Sequence, residues 1–245
     1  MKKYISLLCI LVLFSVALFG QAKKEMPVLT GEKGFYPLYN YSAKTYRAVP
    51  QNWAILQDKR GVLYVGNNQG ILEYDGVNWR LIKVANETNV RSLAMDANGK
   101  IYAGAYGEFG YLEPDANGNL HYTSLLPQVE KNDLDIADVW NTLAADDGIY
   151  YQTSSKIFRW DGKKIKVWNA EKSFHRIFYV NGHIFVRERE IGMMELTNET
   201  LVLLKGGDAF SDESVDGMIP FGVTSTGKPS ENILVCTRKK GLYVM

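Results

Sequence analysis

Short apolar runs with polar residues interleaved recur along this chain, separated by turns rich in Gly, Asp and Asn. The pattern is clearest from Gln51 to Val84. Trp53 to Gln57 is a short run that ends at the turn Asp58-Lys59-Arg60-Gly61, and Val62 to Val65 follows. Asn67-Asn68-Gln69-Gly70 then supplies residues that tolerate positive φ. Ile71 to Tyr74 is a third run, and Asp75-Gly76 is a hairpin signal, because a tight primed turn needs positive φ at both centres. Trp79 to Val84 is the fourth. Four short antiparallel strands in about 40 residues describe one blade of a β-propeller.

The unit returns roughly every 35 to 50 residues, the period of solenoids, arrays and propellers. Asp96-Ala97-Asn98-Gly99-Lys100-Ile101-Tyr102-Ala103-Gly104 with Gly110-Tyr111-Leu112-Glu113-Pro114-Asp115 is a second copy. Asp147-Gly148-Ile149-Tyr150-Tyr151-Gln152 with Lys156-Ile157-Phe158-Arg159-Trp160-Asp161-Gly162 is a third. Blades are expected at about 51–89, 90–137, 138–174, 175–214 and 215–245. Gly, Asp-Gly and β-branched or aromatic residues interrupt every stretch long enough for a helical stripe, leaving a turn or two near Val129 to Ile136 as the one helical expectation. The fold class is all-β: a β-propeller of four-stranded antiparallel blades, about five visible and the last incomplete. That incomplete blade leaves an unpaired edge, which a propeller hides by closing its ring. Either the N-terminal segment completes it, or the sequence is the front part of a longer protein, the reading preferred here.

The termini and composition narrow the setting. Lys2 and Lys3, the apolar stretch Ile5 to Phe19 and Gly20-Gln21-Ala22 read as a signal peptide over residues 1–22, with the mature chain starting near Gln21 or Lys23. A retained N-terminal anchor is the competing reading. Residues 23–50, with Pro27, Gly31, Gly34, Pro37 and Pro50, read as an extended lead-in whose aromatics pack on the body, and 51–245 as the propeller repeats. With 28 basic and 27 acidic residues the net charge is +1, so no chain-wide field draws nucleic acid or anionic membrane. After removal of the signal only Cys236 remains, and no intrachain disulfide can form. Export to the periplasm is expected. Contact with membrane is expected only through the signal segment or a span outside this sequence, and dimerisation only through parts outside it.

At this point a resemblance can be named. Gln51 to Gly61, Gly66 to Arg80, Arg91 to Asp96 and Gly107 to Asp115 resemble the opening blades of the two-component regulator propeller family, the periplasmic sensor region of Bacteroidetes-type hybrid regulators. The likeness covers roughly residues 36 to 245 and weakens from Phe174 to Gly227. It implies a propeller sensor followed, outside this sequence, by a β-sandwich, a transmembrane helix and a cytoplasmic output module.

Candidate chemistry is sparse. His121, His175 and His183 have neither paired spacing nor cysteine partners, so no metal site and no cofactor is expected. Asp96 and Asp115 open hairpin turns and lack the later ligands of a calcium loop. Asp133, Asp135 and Asp138 offer carboxylates of the kind a glycosidase pairs, against the plainer reading of a solvated loop, and no catalytic residue is assigned. In a propeller the first strand of each blade lines the channel. Aligning the units on the Asp or Asn that opens the glycine turn places Trp53, Arg91, Asn141 and Arg176 at one position, with Trp140 and His175 beside it. Guanidiniums, an amide and aromatic faces there suit a small extracellular ligand that is anionic or sugar-like, glycan-derived among them. The function expected is a non-catalytic, extracytoplasmic ligand-sensing module of a membrane signalling regulator. The rivals are an exported propeller enzyme acting on polysaccharide and a protein-interaction scaffold.

Overall fold

Each repeat bends where an aspartate caps its own turn. Asp58, Asp96 and Asp115 each accept two backbone N–H groups on Oδ1: from Arg60 and Val62, from Asn98 and Lys100, and from Asn117 and Asn119. The glycine that follows takes positive φ, +88° at Gly61 and +86° at Gly99, a conformation that residues with a Cβ rarely adopt. Asp75 and Asp161 do the same with Val77 and Asn78 and with Lys163 and Lys164. The side chain supplies the hydrogen bonds that the backbone loses at the bend, so the same turn is rebuilt wherever this sequence recurs.

The computed structural model describes residues 38–224, 226 and 230–245; residues 1–22, expected to be a signal peptide, and most of the expected lead-in lie outside them. The chain divides between Asn40 and Tyr41, and Tyr41–Met245 carries every strand among the described residues. Blade 1 is β1 (Asn52–Gln57), β2 (Leu63–Asn67), β3 (Gly70–Tyr74) and β4 (Trp79–Ile82). Blade 2 is β5 (Val90–Met95), β6 (Ile101–Ala105), β7 (Glu108–Pro114) and β8 (Leu120–Ser124). Blade 3 is β9 (Asn141–Ala145), β10 (Gly148–Gln152), β11 (Lys156–Trp160) and β12 (Ile165–Asn169). Blade 4 is β13 (Phe174–Val180), β14 (His183–Glu188), β15 (Gly192–Thr197) and β16 (Thr200–Leu203). Blade 5 has three strands, β17 (Val215–Pro220), β18 (Ile233–Thr237) and β19 (Leu242–Val244). Every sheet is an antiparallel meander in chain order. The first strands stand side by side, β1 against β5, β5 against β9, β9 against β13 and β13 against β17.

The core lies between blades. Tyr64, Ile71 and Ile82 of blade 1 meet Val90, Ile101 and Leu112 of blade 2. Phe109 of blade 2 meets Tyr151 and Phe158 of blade 3 at ring-centroid distances of 4.5 and 5.0 Å. Tyr150 and Ile157 pack on Ile177 and Val186, and Phe185 and Met193 on Met218 and Val235. Each such side chain, once buried, contributes about 1.5–3 kcal/mol. Apolar residues exposed on the strands include Ile55 of blade 1, Val202 and Leu203 of blade 4, and Ile219, Leu242 and Val244 of blade 5.

Two regions differ from the expected pattern. Within the lead-in, read as extended, Ala43–Tyr46 forms one helical turn: Ser42 O accepts Thr45 N–H and Tyr46 N–H, and Arg47 ends it at φ 56°. The turn buries Tyr46 against Val65, Leu72 and Trp79 on the first blade. Between β8 and β9 the helical expectation near Val129 to Ile136 resolves into two short 3₁₀ turns, Leu126–Gln128 and Lys131–Asp133, the first carrying Pro127 near its start.

Candidate functional site

Bulges aim the residues at the start of each inner strand. Register slips between Asn52 and Ala54, Val90 and Ser92, Phe174 and Arg176, and Val215 and Gly217. An extra residue at a bulge leaves the ladder and is turned out of the sheet. The bulged residues are Trp53, Arg91, His175 and Asp216. This corrects the alignment made from the turns: His175, not Arg176, occupies the position of Trp53 and Arg91. The reason is that β13 runs one residue further from its bulge to its hairpin than β1 or β5 does. Asn141 pairs directly with Gln152, and its amide donates to the buried Gln152 Oε1 at 2.7 Å, so it is held along its own blade.

Three of the expected residues converge. The Arg91 guanidinium lies 3.8 Å from the Trp53 ring centroid and 5.0 Å from that of Trp140, between two indoles set edge to face at 6.4 Å. Its Nε donates to Asp138 at 2.8 Å, while its Nη1 is buried without a partner. Trp53 Nε1 donates to Asn68 at 2.6 Å, which fixes the indole. A cation between two ring faces contributes about 0.5–2 kcal/mol per contact, more as water is excluded. With Arg91 over both rings, each indole still stands partly in solvent: Trp53 is 40% and Trp140 46% exposed. Tyr106, 53% exposed, bridges to Asp138 next to them. One side of the rim is therefore an aromatic ledge with a neutralised charge beneath it.

The other side is cationic. Arg176 of β13 stands directly opposite Arg187 of β14, on one face of the sheet. Like charges so placed are destabilising. Arg187, only 4% exposed, donates from Nε to Phe210 O at 3.0 Å and from Nη2 to Ser211 O at 2.7 Å. Arg176 donates to Asp216 O at 2.7 Å. His175 Nδ1 is buried without a partner. Burial first, then the charges of Arg187, Arg176 and Arg189, pull the His175 pKa down to about 4. Nearby, Asp216 is gripped by both Arg238 nitrogens and Asp212 by Lys240.

The remaining candidates lie elsewhere. Asp138 is committed to Arg91 and Asp133 to Lys156 at 3.0 Å, and Asp135 is exposed. His121 stands 3.7 Å from Glu113 and His183 2.7 Å from Glu195, both exposed. The Asp96 and Asp115 carboxylates are taken up by their own turns. At the far ends of the inner strands, clefts of about 640 and 460 Å³ open between blades 2 and 3 and between blades 3 and 4. Asp147, in both, is held by Tyr150 and Arg159. Arg187, Asp216 and Tyr106 were missed in the sequence. A charge pair inside the apolar run His183 to Glu188 was the one available signal.

Neither a family model nor a curated protein sequence matches the chain. Solved structures do. The WD40 β-propeller domain of Doa1 aligns over 79% of this chain and 64% of its own at TM-score 0.56 and 10% identity. Catalytically inactive virginiamycin B lyase from Staphylococcus aureus with quinupristin aligns over 80% and 71%, at 0.52 and 11%. The extracellular domain assigned to a hybrid two-component system of B. thetaiotaomicron aligns over 79% and 27%, at 0.53 and 15%. The fold is a β-propeller. At these identities the likeness is one of architecture, and a lyase, a WD40 domain and an extracellular domain share it. The propeller described here matches little more than a quarter of the length of that extracellular domain, 27%.

Proposed function

We propose that this propeller is the ligand-sensing region of an exported, membrane-linked signalling protein, and that it binds a saccharide without turning it over. The observation that carries the reading is the pair of indole faces held open by Arg91 at the start of the inner strands. A rigid, half-exposed aromatic ledge suits stacking on a sugar ring, and the carboxylate beneath it is tied to a guanidinium rather than free to move protons. The fold likeness to an extracellular domain of a hybrid two-component system supports the setting, as do the motifs of the first two blades. A ligand bridging blades biases their arrangement only by its differential affinity for the two states, so the signal is set by contacts that change between them.

Calorimetric titration of the chain with a panel of glycan fragments tests this. Saturable binding without product is expected, and Trp53→Ala and Trp140→Ala should each weaken it about tenfold. Product release by the wild-type chain would transfer the reading to an exported propeller enzyme. Binding indifferent to both indoles would remove the ledge from it.

A further inference from the structure

Five of the nine arginines in this chain are paired with a carboxylate. Arg60, Arg80, Arg91, Arg159 and Arg238 each hold a carboxylate at 2.5–2.9 Å. At the junction of blades 4 and 5 that pairing is missing. Among the described residues, no carboxylate lies within ion-pair distance of Arg176, Arg187 or Arg189. Asp212 and Asp216 are claimed by Lys240 and Arg238, and Glu213 Oε1 accepts the backbone N–H groups of Ser214 and Lys239. Arg176 and Arg187 are nevertheless partners in the register of β13 and β14, and the second is almost fully buried. Burial lowers the Arg187 pKa, the charge of Arg189 lowers it further, and the carboxylates of Glu213 and Asp212 offset this only from beyond ion-pair distance. A bound anion would supply the direct charged partner that these arginines lack.

We infer that Arg176 and Arg187 form an oxyanion subsite, taking a carboxylate or sulfate group of the bound saccharide. The N–H groups that Arg187 and Arg176 do not spend on Phe210 O, Ser211 O and Asp216 O are donors that a carboxylate or a sulfate accepts. Arg187 is pre-positioned by its bonds to Phe210 O and Ser211 O, and Arg176 by its bond to Asp216 O. Arg189 is exposed, and its charge acts with those of Arg187 and Arg176 on the His175 ring, so three positive charges converge here. The inference rests on the saccharide reading for the rest of the ligand and narrows it to acidic sugars: an aromatic ledge on blades 1 to 3, an anion grip on blade 4 where it meets blade 5.

The probes are D-glucuronate, inorganic sulfate and neutral D-glucose, titrated into the full chain at low and high sodium chloride. Glucuronate, sulfate or both should raise the melting temperature and bind more tightly at low salt, with glucose inert at this subsite. Glucuronate alone would assign a carboxylate, and sulfate alone a sulfate ester. Arg176→Gln should weaken the anion about tenfold or more at an unchanged fold, since Arg176 is not part of the buried core. Arg187→Lys, which keeps the charge and loses the fork, should weaken it as well. Trp53→Ala should leave the affinity for free sulfate as it is, so a failed ledge and a failed grip read differently. Equal affinity of Arg176→Gln and wild type for both anions, or protection by neither anion in the wild type, would overturn the inference.

Discussion

His175 gives the fold a measurable acid sensitivity. Its ring lies at the bulge of β13, with Nδ1 buried and three guanidiniums around it, and its pKa falls from 6.5 to about 4 on folding. The unfolded chain therefore binds the proton that the folded chain refuses. Stability stands at its full value above about pH 6.5 and falls as the pH drops toward about 4, below which the ring is charged in both states. Over that whole window the shift corresponds to about 3 kcal/mol. From about pH 7.5 to about pH 5 it is about 2 kcal/mol, and about 1 once solvent at the ring's open edge is allowed for. His175→Gln keeps a neutral polar side chain and removes the titration. Thermal melts of both proteins at the two pH values measure the effect, since carboxylates elsewhere contribute equally to each. Wild type should lose about 2–4 °C more than the variant on acidification. Equal losses would mean that the ring is as easily protonated in the fold as in water, and the description of the junction as a desolvated cationic site would fail.

Other consequences are structural. At Gly110 an added Cβ would sit 2.1 Å from Thr123 O, a backbone atom of the paired strand, so Gly110→Ala should cost more than about 3 kcal/mol in denaturant unfolding. Gly118→Ala has no atom within 4 Å but keeps φ at +82°, and about 1–2 kcal/mol is expected from backbone strain alone. If the two variants unfold alike, the β7–β8 packing is misdescribed. Tyr46→Ala should cost about 3 kcal/mol, because the ring is buried against Val65, Leu72 and Trp79. A loss below about 1 kcal/mol would show that the lead-in turn rests on the first blade without stabilising it.

The fold was legible because its information is local. The first-blade runs Trp53 to Gln57 and Ile71 to Tyr74 fall within a residue of β1 and β3, since Asp58 and Asp75 bind their own turn amides and fix where each strand must stop. The site was half legible. Trp53, Arg91 and Trp140 meet because the repeat spacing carries them to adjacent inner strands. Arg176 was placed one residue out of register, because a bulge and a longer β13 leave no mark in residue type. Arg187 was invisible for a related reason. It lies in a second strand, and only the cross-strand pairing with Arg176 makes it more than a charge in an apolar run.

The four larger cores among the described residues are each shared between two sheets, and that separates the unit of sequence from the unit of stability. A repeat can be copied as a block of text, yet half of what buries its side chains belongs to the next block: Phe109 needs Tyr151, and Met193 needs Met218. No blade can be excised intact. A cut in the segment joining β16 to β17 would strip partners from both sides, and amide exchange should group protected residues by seam, with the facing strands of two blades opening together.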